Sequence, residues 1–255
     1  MTGADATVVL VHSPLTGAAA FGRLPDELRR RGRDVVVVEV LDDDTAPFAA
    51  RFVARASLQV AAALGSGTGS GSGTRSDDGV QRPVVLVGHS GAGYLLPLLA
   101  AARRSAGGSV AAYVFLDAGL PPARPSSRHA LMRAESPAYA DEVEALLDRG
   151  GRFPDWDDAS LRDLVPDDGS RAALVASLRP RGRDFFHEPL PVATDWPDAP
   201  CGYLQLSGSY AKPAALARMR GWLVTGGVER PGGHLAALVD PCGVADDLEH
   251  LIQQL

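Results

Sequence analysis

The chain has 255 residues, 45% of them hydrophobic, and its 25 basic and 31 acidic side chains leave a net charge of −6. That size and composition suit one globular unit with an ample core, and no basic stripe marks a nucleic-acid partner. Two cysteines, Cys201 and Cys242, are too few for a disulfide scaffold, and no apolar run approaches membrane-spanning length.

Thr7-Val8-Val9-Leu10-Val11 is a continuous apolar run, the pattern of a strand buried on both faces. Residues 18–31 read as a helix, with Phe21, Leu24 and Leu28 at helical spacing and a basic, Gly-ended terminus at Arg29-Arg30-Arg31-Gly32. A second strand is expected over 34–40 and a second helix over 48–64. Residues 65–79 are rich in Gly, Ser and Thr, the composition of a flexible surface insertion. A third strand over 83–87, a third helix over 93–104 and a fourth strand over 110–116 follow. Such alternation predicts an α/β fold with a mostly parallel sheet and helices on both faces.

Between the third strand and third helix lies Gly88-His89-Ser90-Gly91-Ala92-Gly93. Strand, Gly-x-Ser-x-Gly and helix in that order place a serine on a sharp turn with its hydroxyl exposed. The helix that follows aims its positive end at any oxyanion formed there. Gly93 gives the helix room to approach the strand.

Residues 121–199 interrupt the alternation with short amphipathic patches at 139–147, 159–165 and 170–178, punctuated by proline, aspartate, Trp156 and Trp196. No strand-like run occurs there. The segment reads as a helical cap between two parts of a core, 1–120 and 200–255. The alternation resumes with a strand at 202–206, a helix at 213–220, a strand at 222–228, the loop Pro231-Gly232-Gly233-His234-Leu235 and a closing helix over 244–255.

A serine hydroxyl needs a base to take its proton and a third group to orient that base. His234, in its Gly-Gly-His loop near the C-terminus, is the best base. Asp117, ending the fourth strand in Phe115-Leu116-Asp117-Ala118, points into the crevice where parallel sheets bind ligands. Asp195 and Asp198 are weaker candidates. His12 and His89 flank strand ends, His129 and His187 lie in the cap segment, and His250 lies on the closing helix.

These features together resemble the α/β-hydrolase superfamily across nearly the whole chain. The likeness rests on the Val11-His12-Ser13 strand end, the elbow at Ser90, the cap segment and the Gly233-His234 loop. It implies Ser90 as nucleophile, His234 as general base and then acid, and Asp117 as the acid in a variant position one strand early. The first-strand loop of the family usually reads His-Gly-x, with x donating a backbone N–H to the oxyanion. Here it reads His12-Ser13-Pro14-Leu15, and proline has no N–H. The donors then fall to Gly91 and Leu15. His12, His89 and Tyr210 are the candidate substrate contacts. The expected activity is hydrolysis of a small, largely apolar carboxylic ester or thioester. The alternative is a non-hydrolytic lyase, cyclase or epimerase using His234 as general base. No cofactor or metal motif is visible. The expected partner is a small molecule, with neither nucleic acid nor membrane, and a monomer or homodimer is expected. No basic n-region and apolar stretch opens the chain, so a cytoplasmic location is expected.

Overall fold

Strand β1 (Thr7–Val11) alternates between two cores. Val9 and Val11 enter one buried cluster, while Val8 and Leu10 enter the other. Both faces of the strand are therefore dry, as its unbroken apolar sequence requires. A computed structural model describes residues 5–41, 43–65 and 82–255. The expected flexible insertion at 65–79 lies, beyond Gly65, outside the described residues.

Six parallel strands form the main sheet. They are β1, β2 (Val35–Val38), β3 (Val84–Ser90), β4 (Val110–Ala118), β7 (Cys201–Gln205) and β8 (Leu223–Gly226), in spatial order β2-β1-β3-β4-β7-β8. Helices α2 (Phe48–Gly65), α3 (Leu96–Ser105) and α9 (Ala211–Met219) bury residues in the cluster on one face. Helices α1 (Leu24–Arg30) and α11 (Pro241–Gln253) do so on the other. The expected helix over 18–31 is two pieces, a 3-10 turn at Ala18–Phe21 and α1, because Gly22 adopts φ 48° between them and Pro25 opens α1.

The strand order reverses between β1 and β3. A ligand crevice opens at such a switch point, beyond the carboxyl ends of the strands. Ser13, Pro14 and Leu15 follow β1 there, and Ser90 ends β3.

The segment after β4 carries more structure than its sequence suggests. Helices α4 (Arg128–Glu135), α5 (Pro137–Asp148), α6 (Asp158–Leu161), α7 (Asp168–Ser177) and α8 (Arg183–His187) are joined by a two-stranded antiparallel ribbon, β5 (Ser126–Ser127) with β6 (Pro189–Leu190). The expectation of no strand therefore fails: the ribbon closes the two stems of the segment, and two residues are too short to leave an alternating pattern. The segment docks on the strand-end loops through the Arg179 N–H, which donates to Leu15 O at 2.8 Å, and through Arg181, whose guanidinium reaches Pro14 O. A final short helix, α10 (Ala236–Val239), follows a 3-10 turn at Gly233–Leu235.

Candidate active site

Ser90 and Asp117 are two of only three non-glycine residues at positive φ among the described residues, at 57° and 41°. Such conformations cost energy and persist where the surrounding structure enforces them. At Ser90 the enforcement is the strand-to-helix turn. Its tightness depends on Gly93, where an added Cβ would run into the Gly119 carbonyl and lie 2.9 Å from Ala118 Cβ.

Asp117 owes its position to a bulge. His89 pairs with Leu116 and Ser90 with Ala118, so Asp117 is the extra residue on β4. A bulge re-aims a side chain at a strand end. The carboxylate, 0% exposed, accepts from Leu206 N–H at 2.8 Å, Ser207 N–H at 3.1 Å, Ser207 Oγ at 2.7 Å and His234 Nδ1 at 2.8 Å. Burial pushes its pKa up, but the bonds from His234, Ser207 and Leu206 outweigh it and hold the carboxyl below its ordinary value.

His234 arrives on a turn in which Gly232 and Gly233 take φ 77° and 51°. Its ring is sandwiched. His89 stacks on one face at 4.6 Å and 23°, and Tyr210 on the other at 4.7 Å and 9°. The bond to Asp117 fixes the proton on Nδ1 and leaves the lone pair of the neutral ring on Nε2, the tautomer of a general base.

His89 and His12 are both engaged by other parts of the protein. Both rings are buried. His89 Nε2 donates to the His234 carbonyl at 3.0 Å, and burial together with the nearby His234 charge drives its pKa down to about 3. It is a neutral plate that positions His234. His12 Nδ1 donates to Ser13 O at 2.7 Å and its Nε2 accepts from Val40 N–H at 3.0 Å, so it ties the β1 loop to the end of β2. Asp198 accepts from Tyr113 OH at 2.6 Å and pairs with Arg104, and Asp195 is an exposed carboxylate beside Thr194. Neither bonds His234.

Among the described residues, Ser90 Oγ bonds Tyr210 OH at 3.2 Å and not His234. Tyr210 thus touches both partners, through its hydroxyl and through its ring. Burial raises the Tyr210 pKa far above the ordinary phenol value, so the hydroxyl keeps its proton. The expected Leu15 donor is also engaged elsewhere: its N–H reaches Ser13 Oγ at 3.3 Å, a long bond. Gly91 lies against the same hydroxyl, its Cβ direction 3.3 Å from Ser13 Oγ.

Two further polar residues carry little signal in the sequence. Ser207 supplies two of the bonds to Asp117; its place directly after the strand 202–206 was the available signal. Glu135, at the end of α4, receives the Tyr94 hydroxyl at 3.4 Å, and burial lifts its pKa to about 7. A surface recess lined by Tyr94, Pro97, Pro121, Val192 and Trp196 lies beside the stems of the insertion and includes none of Ser90, Asp117 and His234.

A model of the alpha/beta hydrolase family matches residues 8–247. Comparison with curated proteins by sequence gives no match. Among solved structures, an extracellular α/β-hydrolase from a Paenibacillus species aligns with TM-score 0.66 at 17% identity, covering 96% of this chain and 98% of the other. A polyneuridine aldehyde esterase variant aligns with TM-score 0.62 at 18% identity, covering 96% and 98%. Tomato methylketone synthase I, bound to 2-tridecanone, aligns with TM-score 0.62 at 14% identity, covering 98% of each chain. At these identities the likeness is one of fold. No helix among the described residues is long and apolar enough to cross a membrane.

Proposed function

Because the chain belongs to the alpha/beta hydrolase family, we propose that it is a serine hydrolase acting on a small, largely apolar carboxylic ester or thioester. One observation carries this reading: Ser90 stands at positive φ on the elbow, bonded to the tyrosine that stacks on an Asp117-oriented His234.

Ser90 Oγ attacks the carbonyl carbon while His234 Nε2 takes its proton. The ester bond to the leaving alcohol or thiol breaks, and the leaving group receives that proton. Water then gives a proton to His234 and attacks the acyl carbon, and the bond to Ser90 Oγ breaks as Oγ takes that proton back from His234, releasing the acid and restoring the free enzyme. Asp117 holds the imidazole and stabilises its charged form throughout. For His234 to act, the Ser90 hydroxyl must rotate from Tyr210 toward Nε2; catalytic bonds of this kind often form only with substrate present. Gly91 N–H is one oxyanion donor. Leu15 N–H, released from its long bond to Ser13, is the other. Losing one such donor typically costs about 10²–10³ in rate.

The segment 121–199 acts as the cap. Apolar substrate preference is supported by the cluster of Phe48, Val143, Phe153, Phe185 and Phe186, against which Leu15 of the oxyanion loop packs. A fluorophosphonate probe tests the reading. It should label the parent and leave Ser90→Ala unlabelled; equal labelling contradicts it.

One observation favours a second reading. Ser90 is held by Tyr210, not by the base, so His234 is free to remove a proton from carbon without a covalent step. A lyase, cyclase or epimerase of this kind would keep turnover in Ser90→Ala and lose it in His234→Ala.

A further inference from the structure

The geometry points to a divalent transition-metal site in the helical insertion, with zinc the fitting ion, built from His129, Glu144 and His187. It shares no residue with the Ser90 site, and it stands whether or not the hydrolytic reading does.

The three ligands come from three helices, α4, α5 and α8. Glu144 Oε2 lies 3.4 Å from His129 Nε2 and 3.0 Å from His187 Nε2, and the three candidate ligand atoms lie within 4.8 Å of one another. Zinc binds imidazole nitrogen at about 2.0–2.1 Å and carboxylate oxygen at about 2.0–2.2 Å, so neighbouring corners of its tetrahedron are about 3.3 Å apart. The two observed edges bracket that value.

His129 supplies independent support. The residue is only 9% exposed, yet its Nε2 has no hydrogen-bond partner. A buried polar nitrogen without a hydrogen bond is costly; the Glu144 carboxylate 3.4 Å away does not supply one, and a metal bond would satisfy it. The two imidazoles stack at 4.9 Å and 26°, and the Nε2 atom of each approaches the same carboxylate oxygen. Arg183 occupies the other oxygen of Glu144 and also pairs with Asp148. An arginine in that place orients a ligating carboxylate, and Oε2, which bonds His187 Nε2 at 3.0 Å, is the oxygen an ion would take from that bond.

The donor set decides the class of ion. Two imidazoles and one carboxylate suit zinc, nickel or copper; magnesium and calcium prefer oxygen alone. The side chain of His187 is 38% exposed, which gives the ion an entry path and leaves its fourth position to water. A bound ion would tie α4, α5 and α8 together at one point and stiffen the insertion.

The test uses tag-free protein, stripped with chelator and titrated with zinc chloride by calorimetry at pH 7.5. We expect saturation at one equivalent, a zinc-dependent rise in melting temperature, and a visible absorption band on cobalt substitution. His187→Ala, at an exposed position, should fold normally, weaken binding at least about tenfold and abolish the melting shift. Glu144→Gln should weaken binding to a similar extent. Failure of the parent to saturate at one equivalent, or His187→Ala binding as tightly as the parent, would overturn the proposal.

Discussion

The sheet edge and the helical insertion hold their polar groups by opposite means. At the sheet edge a single carboxylate, Asp117, is fully buried and receives bonds from Leu206, Ser207 and His234. Its surroundings are two apolar cores that fix the strands from both faces. In the insertion, arginines do the joining. Arg128 pairs with Glu188, which also accepts the Phe48 and Ala49 N–H groups at the start of α2. Arg181 bridges Asp44 and Pro14 O, and Arg171 bridges Asp158 and Asp168. A charge held among buried dipoles is set rigidly; helices pinned by ion pairs can be loosened piecewise. Under the proposed function, the first arrangement would orient the base and the second would let the insertion admit a ligand.

The sharpest way to break that comparison is Asp117→Asn. An amide would turn N–H groups toward the Leu206 and Ser207 donors and would disfavour the required His234 tautomer. Ester turnover should fall about 10⁴-fold, measured as kcat on a p-nitrophenyl ester. A fall of less than tenfold would mean that Asp117 does not orient the base.

Arg128→Ala should act on the insertion. It leaves Glu188 half-buried without its cation and removes the guanidinium seated 4.0 Å over the Phe185 ring. A loss of about 3 kcal/mol is expected, read from denaturant midpoints, with early proteolytic cuts between residues 121 and 199. Loss of stability with no change in the cleavage pattern would count against piecewise loosening.

Glu135 sharpens the comparison through pH. Burial raises its pKa from 4.5 to about 7 in the folded protein. Below pH 4.5 the carboxyl is protonated in both states. As pH rises toward 7 the unfolded chain ionises first, so stability declines by about 2 kcal/mol after allowance for partial exposure. Glu135→Gln should remove that decline, visible as a higher melting temperature than the parent at pH 8 and little difference at pH 4.

Tyr210→Phe gives the smallest expected effect. The stacking on His234 remains and only the hydroxyl bond to Ser90 goes, a change worth about 1 kcal/mol. Turnover should change less than about tenfold in either direction, with the probe still labelling Ser90.

Legibility follows the same division. Strand positions were readable to within a few residues, because burial on both faces forces long apolar runs such as Val84 to Val87. The turns that carry Ser90 and His234 are legible because each has glycines beside it, Gly91 and Gly93 at one and Gly232 and Gly233 at the other. The bulge at Asp117 was not, since nothing in Leu116-Asp117-Ala118 marks an extra residue; only the pairing with β3 reveals it. Nor could spacing reveal that His89 and Tyr210 sandwich His234, for these residues come from the end of β3 and from two 3-10 turns far apart in the chain. Helices α4 and α8 left little pattern. Arg128 and His129 are buried polar residues, and α8 spans only Arg183–His187. The candidate metal ligands at 129, 144 and 187 lack any short-range spacing for the same reason.

The most direct test of the central account is the mass of the protein after rapid mixing with a p-nitrophenyl ester and acid quench. The account predicts an increase equal to one acyl group, located on Ser90 by fragmentation and missing from Ser90→Ala. Turnover with no acylated protein at any quench time, or with the acyl group on another residue, would contradict it.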